Sequence, residues 1–270
     1  EPRVLIGETY LFELARVASY YGDGDELHLN FNIPFLWTPF EADAVRSIID
    51  DTQAAFPRAA RPVWNGGSHD ISRFPSRWAG GDPRKIRCAL LMLITLHGTP
   101  LLYYGEEIGM GDGAVAPERA LDPLARRAPV PSAGRDPART PMRWTASPGA
   151  GFTRPDVEAW LPLGPAETCN VDDQRADRSS TLWFCRDLIA LRRSSSDLRE
   201  GPQMWSDPPT GVLAFRRGER TVIAINLSDQ PTQVREARGA IAICTSRDRD
   251  GERVEAGLTL GPWEGAVVYE

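Results

Sequence analysis

Apolar and polar positions alternate along the first part of the chain in a way that predicts strands and helices in turn. Apolar runs at positions 4–6, 27–33 and 62–64 end at Gly, Pro or Asn and predict short strands. Positions 41–56 repeat apolar residues every three or four places, which predicts a helix that stops before Pro57. The run at 4–6 contains no polar position, so we expect this strand to be buried on both faces.

The same alternation continues further along the chain. Asp82 and Pro83 are typical of a helix start, and the apolar periodicity then runs to Gly98, a residue type that often ends helices. A strand is predicted at 101–104 and another helix at 179–193. Buried strands that alternate with helices indicate an α/β fold around a parallel sheet.

The last part of the chain changes to short strands separated by turn residues. Strands are predicted at 212–215, 221–227, 240–244, 258–260 and 266–269. This spacing is typical of a small antiparallel β-sandwich. We therefore predict two domains. Residues 1–196 form the α/β domain, with a long ordered loop at about 109–176, and residues 197–270 form the sandwich.

The spacing of the strands predicts that the α/β domain belongs to a (β/α)8 TIM barrel. Such a barrel uses about 250 residues for eight strand–helix units, or roughly 31 per unit. Glu8 and Asp70 each follow a predicted strand, and 70 minus 8 gives 62 positions, or two units. The pattern contains only four units, whereas a closed barrel needs eight. Residues 1–196 therefore correspond to half of a barrel.

Composition and charge exclude several classes of function. The chain has 270 residues, 41% hydrophobic and 25% charged, with a net charge of −6 and an isoelectric point near 5.3. Because there is no basic run, a nucleic-acid partner is not expected. No apolar run reaches the length of a membrane span and no signal peptide is visible, so we predict a soluble, cytoplasmic protein without a membrane partner. The cysteines and histidines form no metal-ligand pattern, so neither a metal nor a cofactor is expected.

Polar residues at two strand ends are candidates for catalysis. Glu8 follows the first predicted strand, and His69-Asp70 follows the strand two units later. In TIM barrels the carboxyl ends of the strands carry the active site. Two carboxylates in one pocket suit glycosidic bond cleavage, because one protonates the leaving oxygen while another opposes positive charge on the sugar. The alternatives are an ordinary strand-end ion pair for Glu8 and a surface pair for His69-Asp70.

Four stretches of the sequence resemble the α-amylase superfamily, glycoside hydrolase family 13. Val-Leu-Ile-Gly-Glu at 4–8 resembles the strand-five motif of that family, and Ser-His-Asp at 68–70 resembles its strand-seven motif. Gly-Thr-Pro-Leu-Leu-Tyr-Tyr-Gly-Glu-Glu at 98–107 is similar to strand eight. Gly-Arg-Asp at 134–136 and Arg-Thr-Pro-Met-Arg-Trp at 139–144 resemble a loop of the α-glucosidase and oligo-1,6-glucosidase branch. The resemblance covers essentially the whole chain and corresponds to strands five to eight and the C-terminal β domain.

The resemblance implies a role for each matched residue. Glu8 matches the general acid/base, and Asp70 matches the carboxylate that binds sugar hydroxyls and stabilises the oxocarbenium-like transition state. His69 matches a histidine that binds the same sugar ring, and Arg139 matches an arginine near the substrate entrance. Arg73 is a possible partner of these site residues, with a plain surface ion pair as the alternative.

The sequence departs from the family pattern in three places. Ser68 stands where the family usually has Asn, and Arg143 where many relatives have Gln, which we expect to alter the rim of the pocket. No residue matches the nucleophilic aspartate that the family carries after strand four. We therefore expect the chain to need a missing N-terminal barrel half, in the same protein or as a separate chain, and to be inactive without it.

The leading hypothesis is a retaining α-glucosidase that hydrolyses α-glucosidic bonds in short oligosaccharides. The same scaffold supports trehalose synthase-like glucosyl transfer and isomerisation, which is the first alternative. A non-catalytic interaction subunit of the same fold, or a dimer of the half chain itself, are further alternatives. Of the tyrosines at 103 and 104, we expect one in the pocket and one in the core, because successive strand side chains point to opposite faces. For Glu106 and Glu107, capping or ion pairing is the favoured role.

Overall fold

A computed structural model describes residues 3–127 and 134–270 of the chain. These residues form two compact units. The first unit comprises Glu1–Gly66, Cys88–Leu101 and Leu188–Glu270, and the second comprises Gly67–Arg87 and Leu102–Asp187. The predicted domain boundary between residues 196 and 197 stays a prediction. Within the described residues, no helix is both long enough and apolar enough to cross a bilayer.

The secondary structure consists of short helices and strands. The α-helices are α1 Leu14–Ser19, α2 Ile33–Trp37, α3 Ala42–Ala55, α4 Phe74–Arg77, α5 Pro83–Thr95, α6 Pro123–Arg127, α7 Val171–Ala176, α8 Thr181–Ser194 and α9 Ser196–Glu200. The strands are β1 Ile6–Gly7, β2 Leu29–Asn30, β3 Val63–Asn65, β4 Thr99–Leu101, β5 Gln203–Trp205, β6 Val212–Arg217, β7 Thr221–Asn226, β8 Thr232–Val234, β9 Gly239–Cys244, β10 Arg253–Val254, β11 Leu258–Leu260 and β12 Gly265–Tyr269.

Two parallel strand pairs in the first unit follow the predicted α/β pattern. β1 pairs with β2, and β3 pairs with β4. The expectation that positions 4–6 are buried on both faces is wrong, because Val4, Leu5 and Ile6 are each more than half exposed. In the described residues β1 and β2 have only each other as neighbours, so both outer edges of this two-stranded sheet have no partner strand.

Helix α2 begins where a strand was predicted to continue. The Asn32 side chain accepts a hydrogen bond from the Phe35 amide, which caps the helix, and Pro34 lies in its first turn. This combination is common at helix starts. The side-chain oxygen accepts from an amide that has no partner within the helix, and proline has no amide hydrogen that would need an acceptor. The predicted strand at 27–33 is therefore shortened to β2.

The two long helices that begin at 42 and 83 follow the sequence pattern closely. In α3 the apolar face buries Val45 and Ile49, as the periodicity predicts. Before α5, the Asp82 carboxylate accepts from the Arg84 amide, as expected for an N-terminal cap. Residues 88–94 of α5 are all buried, so this helix is covered on every side along its second half.

The C-terminal part of the first unit is an antiparallel β domain. Six strands form one sheet in the order β10-β9-β12-β7-β6-β5, and β8 pairs with β11 in a second sheet. Side chains of both sheets share one apolar core, which includes Val222, Val268, Leu258 and Leu260. This two-layer arrangement agrees with the predicted antiparallel β domain, and every strand predicted after position 210 is present.

In the second unit, parts of the segment that lacks sequence periodicity form short helical turns. Short turns of 3-10 helix lie at Glu106–Ile108, Pro117–Arg119 and Asp136–Arg139. A small apolar cluster of Ile108, Met110, Met142 and Val171 connects distant parts of this segment. The predicted long loop is therefore held by its own core as well as by the polar contacts described below.

Replacing Gly98 by Ala is expected to destabilise the fold. This residue has φ +142°, and an added Cβ would lie 2.5 Å from the Pro62 carbonyl oxygen. Gly251 is a matched control, because its φ is +87° and no atom lies within 4 Å of an added Cβ. We expect the Gly251→Ala variant to lose about 1 kcal/mol from the positive φ alone, and Gly98→Ala to lose about 2 kcal/mol more from the clash. Urea unfolding measures both, and equal losses would contradict the proposed close approach.

Candidate active site

The His69-Asp70 pair lies at the start of the second unit, in a turn that follows β3. The Asp70 amide donates to the Ser68 hydroxyl over 3.1 Å, and Ser68 forms an isolated bridge with Ile71. Ser68 is itself buried. The serine that replaces the usual asparagine thus has a local role, because its hydroxyl stabilises the turn that presents Asp70.

The Asp70 carboxylate is surrounded by cationic and polar side chains. Its Oδ1 accepts from Arg139 Nη2, and Arg135 Nη1 lies 3.3 Å from the same oxygen. His69 Nε2 lies 3.5 Å from Oδ1. Arg139 also donates from Nε to the His69 carbonyl oxygen over 2.7 Å. Two guanidinium groups therefore fix the orientation of the carboxylate, of which about a third remains exposed.

Arg135 is held in turn by a buried carboxylate. Asp122 accepts from Arg135 Nε at 2.9 Å, from Nη2 at 3.0 Å and from the Arg135 amide at 2.7 Å. These hydrogen bonds hold the pKa of Asp122 well below its usual range, against the opposing effect of burial. Asp136 fixes the same region, because its Oδ2 accepts from the amides of Leu121 and Asp122. The contacts thus form a continuous path from Asp136 through Asp122 and Arg135 to Asp70.

Arg73 is fully buried and binds the segment that carries Arg139. Its Nη1 donates to the Pro137 carbonyl at 3.2 Å and its Nη2 to the Thr140 carbonyl at 3.4 Å. The Asp112 carboxylate accepts from the Arg73 amide at 3.0 Å and lies 3.9 Å from Nη1. The exposed fraction of the Arg73 side chain is 0%, which excludes the surface ion pair considered as an alternative.

The two tyrosines after β4 hold the same segment. Tyr103 donates from its hydroxyl to the Ala138 carbonyl at 3.1 Å, and Tyr104 donates to the Thr140 carbonyl at 2.7 Å. The Arg73 guanidinium lies 5.2 Å from the Tyr103 ring centroid and 4.8 Å from that of Tyr104. Both rings also border the cavity described below, so the expectation that they point to opposite faces is wrong. Strand β4 ends at Leu101, and the alternation of a strand no longer applies after it.

Glu106 acts as an acceptor for two distant backbone amides. Its Oε2 accepts from the Tyr103 amide at 2.9 Å, and its Oε1 lies 3.4 Å from the Phe74 amide. Burial raises the pKa of Glu106 to about 8, although these two amides, Arg73 and Arg77 oppose the shift. Glu106 therefore joins α4 to the residues after β4, in agreement with the predicted capping role.

A cavity of about 740 Å³ opens beside these residues, entirely within the second unit. His69 and Arg139 border it, together with both tyrosines and Glu107. Most other lining residues are apolar: Leu121, Pro123, Pro141, Met142, Trp144, Phe152, Trp160 and Leu161. The volume is in the range of small-ligand sites, and aromatic walls with a few polar groups are typical of such sites.

Glu8 lies in the first unit, directly after β1, and its side chain is exposed. The neighbouring Thr9 is fixed by buried Asn30, whose Oδ1 accepts from the Thr9 amide at 3.4 Å and whose Nδ2 donates to the Thr9 hydroxyl at 2.8 Å. The strand pairing and these bonds define the backbone on which Glu8 is carried. The predicted meeting of Glu8 with Asp70 stays a prediction.

Several residues that organise the site have no role that could be predicted from the sequence. Arg135 is the central residue of the matched Gly-Arg-Asp motif at 134–136, and this motif is the signal that the sequence offers for it. Asp122 lies in a segment without periodicity and had no signal. Arg143 does not border the cavity. It is buried and donates from Nε to the Leu163 carbonyl at 3.0 Å, so the expected change of the pocket rim is not observed in the described residues.

Comparisons with known proteins identify the class of this fold and site. A family model described as the alpha-amylase catalytic domain matches residues 2–201. The chain belongs to the alpha-amylase family, glycoside hydrolase family 13, in its α-glucosidase branch.

Individual relatives agree with this assignment. The chain is 34% identical to a glucan 1,6-alpha-glucosidase from Streptococcus dysgalactiae subsp. equisimilis, over 76% of this chain and 42% of the relative. It is 30% identical to Maltase 1 from Drosophila virilis, over 98% of this chain and 45% of the relative. The crystal structure of the alpha-glucosyl transfer enzyme XgtA is similar with a TM-score of 0.84 and 31% identity, over 98% of this chain and 51% of that chain. The chain thus spans about half the length of these relatives, or less.

Replacing Arg73 by Met is expected to loosen the segment at 137–140. The change removes the Arg73 donors to the carbonyls of Tyr104, Pro137 and Thr140 and takes the buried guanidinium away from Asp112. We expect a loss of about 3–5 kcal/mol in the free energy of unfolding. Denaturant unfolding measures the loss, and faster amide exchange at 138–140 locates it. The matched Arg154→Met variant removes an exposed arginine and is expected to change stability by less than about 0.5 kcal/mol. Unchanged exchange at 138–140 would contradict the role of Arg73.

The Asp122–Arg135 pair is expected to make stability depend on pH in the acid range. The pKa of Asp122 is depressed in the folded state relative to about 3.9 in the unfolded chain. Its stabilising contribution is therefore fully present above about pH 4 and is lost as the pH falls further. In urea unfolding between pH 5 and pH 2, the Asp122→Asn variant should lose less stability on acidification than the parent. If the free energy of unfolding falls equally steeply with pH in Asp122→Asn and in the parent, another carboxyl group causes the acid sensitivity.

Proposed function

We propose that this chain supplies the acid/base and a sugar-binding carboxylate of a retaining α-glucosidase that acts on short oligosaccharides. Residues 1–196 would correspond to strands five to eight of a (β/α)8 barrel and residues 197–270 to its C-terminal β domain. The observation that carries the proposal is the arrangement at Asp70. Its carboxylate is fixed by Arg135 and Arg139, and Arg139 and the neighbouring His69 border an aromatic-lined cavity, in a chain of the α-glucosidase branch.

Asp70 is suited to the sugar-binding role because one of its oxygens remains accessible. The contacts that Arg135, Arg139 and His69 make with Asp70 in the described residues all use Oδ1, and about a third of the Asp70 side chain is exposed. Oδ2 is therefore available to accept from sugar hydroxyls. A carboxylate in this position also opposes the positive charge that develops on the ring as the glycosidic bond breaks. His69 and Arg139, which border the cavity, would add donors to the same sugar.

Glu8 is proposed as the general acid/base. In a retaining mechanism this residue protonates the glycosidic oxygen in the first step and activates a water molecule in the second. Glu8 follows the end of β1, and the parallel arrangement of β1 with β2 is the strand geometry that brings catalytic groups to the carboxyl end of a barrel.

The nucleophile is proposed to come from polypeptide outside these residues. A retaining enzyme needs a second carboxylate at about 5–5.5 Å from the acid/base, and no motif of this chain matches the one that provides it in the family. The relatives are about twice as long as the matched chain, which supports a barrel completed by further strands. We expect the 270 residues alone to show no turnover of an aryl α-glucoside.

Replacing Glu8 by Gln in the native protein is expected to separate the catalytic from the non-catalytic hypothesis. Loss of a general acid should lower kcat/KM for maltose by about 10²–10⁴-fold. The loss should be smaller in the bond-breaking step of an aryl α-glucoside with an acidic phenol, because that leaving group needs little protonation. Steady-state and burst kinetics on the two substrates measure this difference.

The exposed residue Glu118 provides a matched control for the same chemical change. The Glu118→Gln variant should retain the parental kcat/KM on both substrates. An equal, small effect of Glu8→Gln on both substrates, or unchanged activity, would exclude Glu8 as the acid/base. No turnover of either substrate by the parental native protein would favour the interaction-subunit hypothesis.

Glucosyl transfer is a second candidate, and the cavity lining favours it. The walls beside His69 and Arg139 are mainly apolar and aromatic, which disfavours water as the acceptor and favours a second sugar or another organic hydroxyl. The similar protein XgtA is described as an alpha-glucosyl transfer enzyme. Product analysis on maltose distinguishes the two, because hydrolysis releases glucose alone whereas transfer or isomerisation yields new disaccharides.

A further inference from the structure

A cluster of arginines lies at the C-terminal end of helix α5, within the first unit. Arg192 donates from Nη1 to the carbonyls of Ile94 and Leu96 and from Nη2 to that of Gly98. Arg217, which is fully buried, donates to the Thr95 carbonyl. The last turn of the helix is therefore covered by two guanidinium groups, as the negative end of a helix favours.

Three more polar residues, Arg61, His97 and Gln203, belong to the same cluster. Arg61 Nη1 lies 3.1 Å from His97 Nε2, and the Arg61 side chain reaches solvent. Gln203 Oε1 accepts from the His97 amide over 3.0 Å. Gln203 is also paired directly with Arg217 on the neighbouring antiparallel strand, so the two side chains leave the same face of the sheet.

Two buried donors in this cluster have no acceptor. Arg217 Nη2 and Gln203 Nε2 are both inaccessible to solvent and make no hydrogen bond in the described part of the chain. A buried donor without a partner is unfavourable, and more so when it is charged, because it has lost its hydrogen bonds to water without replacing them. Because these donors belong to opposing strand residues that both contact 95–97, a single acceptor placed between them could satisfy both.

The charges of the cluster are also not balanced. Among residues 3–127 and 134–270, no carboxylate lies within salt-bridge distance of Arg61, Arg192 or Arg217. Asp197 is close enough to influence Arg217, but its carboxylate accepts from the Arg220 amide and the Thr221 hydroxyl.

The pKa values of the cluster follow from burial and from this unbalanced charge. Burial and the neighbouring Arg192 and Arg61 lower the pKa of Arg217 to about 9. Burial and the three arginines lower the pKa of His97 to about 4, which keeps its ring neutral at pH 7. A negative charge at the cluster would reduce the electrostatic repulsion among Arg61, Arg192 and Arg217.

Capping of the helix accounts for part of the cluster only. The carbonyls of Ile94, Thr95, Leu96 and Gly98 occupy both terminal nitrogens of Arg192 and Nη1 of Arg217. The end of a helix carries only about half a negative charge, against three guanidinium charges, one of which is exposed and screened. Capping therefore leaves the positive excess, Arg217 Nη2 and Gln203 Nε2 unexplained.

We propose that Arg217, Gln203 and Arg61, with the charge of Arg192 beside them, bind a small oxyanion at the C-terminal end of α5. Guanidinium groups and an amide donor match the acceptor oxygens of phosphate or of a carboxylate. The anion would accept from Arg217 Nη2 and Gln203 Nε2, and exposed Arg61 would form the side of the site that faces solvent. The function of such a site is to stabilise the junction of α5 with β5 and β6, independently of the reaction at Asp70.

Isothermal titration of the intact native protein with inorganic phosphate, and separately with acetate, tests this proposal at constant ionic strength. We expect one phosphate or one acetate per chain, and the two arms show which oxyanion is preferred. Replacing exposed Arg61 by Ala should weaken binding about tenfold without unfolding the protein. The Gln203→Glu variant should lose binding and gain thermal stability, because its own carboxylate would take the place of the anion.

The adjacent exposed arginine, Arg193, is a matched control, and Arg193→Ala should bind as the parent does. The proposal would be overturned if neither anion binds, or if neither Arg61→Ala nor Gln203→Glu changes the binding. It would also be overturned if Arg193→Ala weakened binding as much as Arg61→Ala does. A crystal structure of the native protein in phosphate that shows only water, or a carboxylate side chain of the protein, between Arg217 and Gln203 would overturn it as well.

Discussion

The buried guanidinium of Arg73 is the constraint on which the organisation of the candidate site depends. A charged group with no exposure must have its donors satisfied, and Arg73 finds acceptors in the carbonyls of Tyr104, Pro137 and Thr140. Those acceptors belong to two separate stretches of chain, which are thereby held together. Arg139 lies within the second stretch. The hydrogen bonds of Arg73 to this stretch therefore also position Arg139 for its contact with Asp70.

The site is therefore built as a connected polar network over an apolar cavity wall. Arg73 and the two tyrosine hydroxyls fix the backbone at 137–140, while Asp122 fixes Arg135 from the other side. The Asp70 carboxylate is thus oriented by two arginines that are each immobilised by other groups. Preorganised charges of this kind need no rearrangement when charge develops on a bound sugar, which is the physical advantage of such a network in glycoside cleavage.

The sequence predicted those parts of the fold in which local pattern and tertiary structure agree. The apolar period predicted helices α3, α5 and α8 and strands β6, β7, β9, β11 and β12 to within a few residues at their bounds. Strands β5, β8 and β10, each of two or three residues, were not predicted. The exposure of Val4 to Ile6 could not be predicted. An apolar run indicates which faces of a strand are suited to burial, but not whether other elements cover those faces. Helix α2 was missed because the cap at Asn32 competes with an apolar run that favours a strand.

The candidate site was predictable only where a residue carried a motif. His69, Asp70 and Arg139 belong to matched stretches, and the structure brings these three together. Asp122 and the tyrosine hydroxyls act across 13 to 36 positions of sequence, and no local pattern encodes such contacts. Arg73 was recognised as a candidate, but its burial, and hence its role, depends on packing that the sequence does not reveal.

The affinity of the native protein for a cationic iminosugar tests most directly whether Asp70 is the carboxylate that recognises a positively charged sugar-like ring. We predict that Asp70→Asn weakens this affinity by at least about 100-fold, since about 2.7 kcal/mol of charge-assisted hydrogen bonding is lost. Arg154→Met, at an exposed position, should leave the affinity unchanged. Equal affinity of the Asp70→Asn variant and the parent would contradict the account.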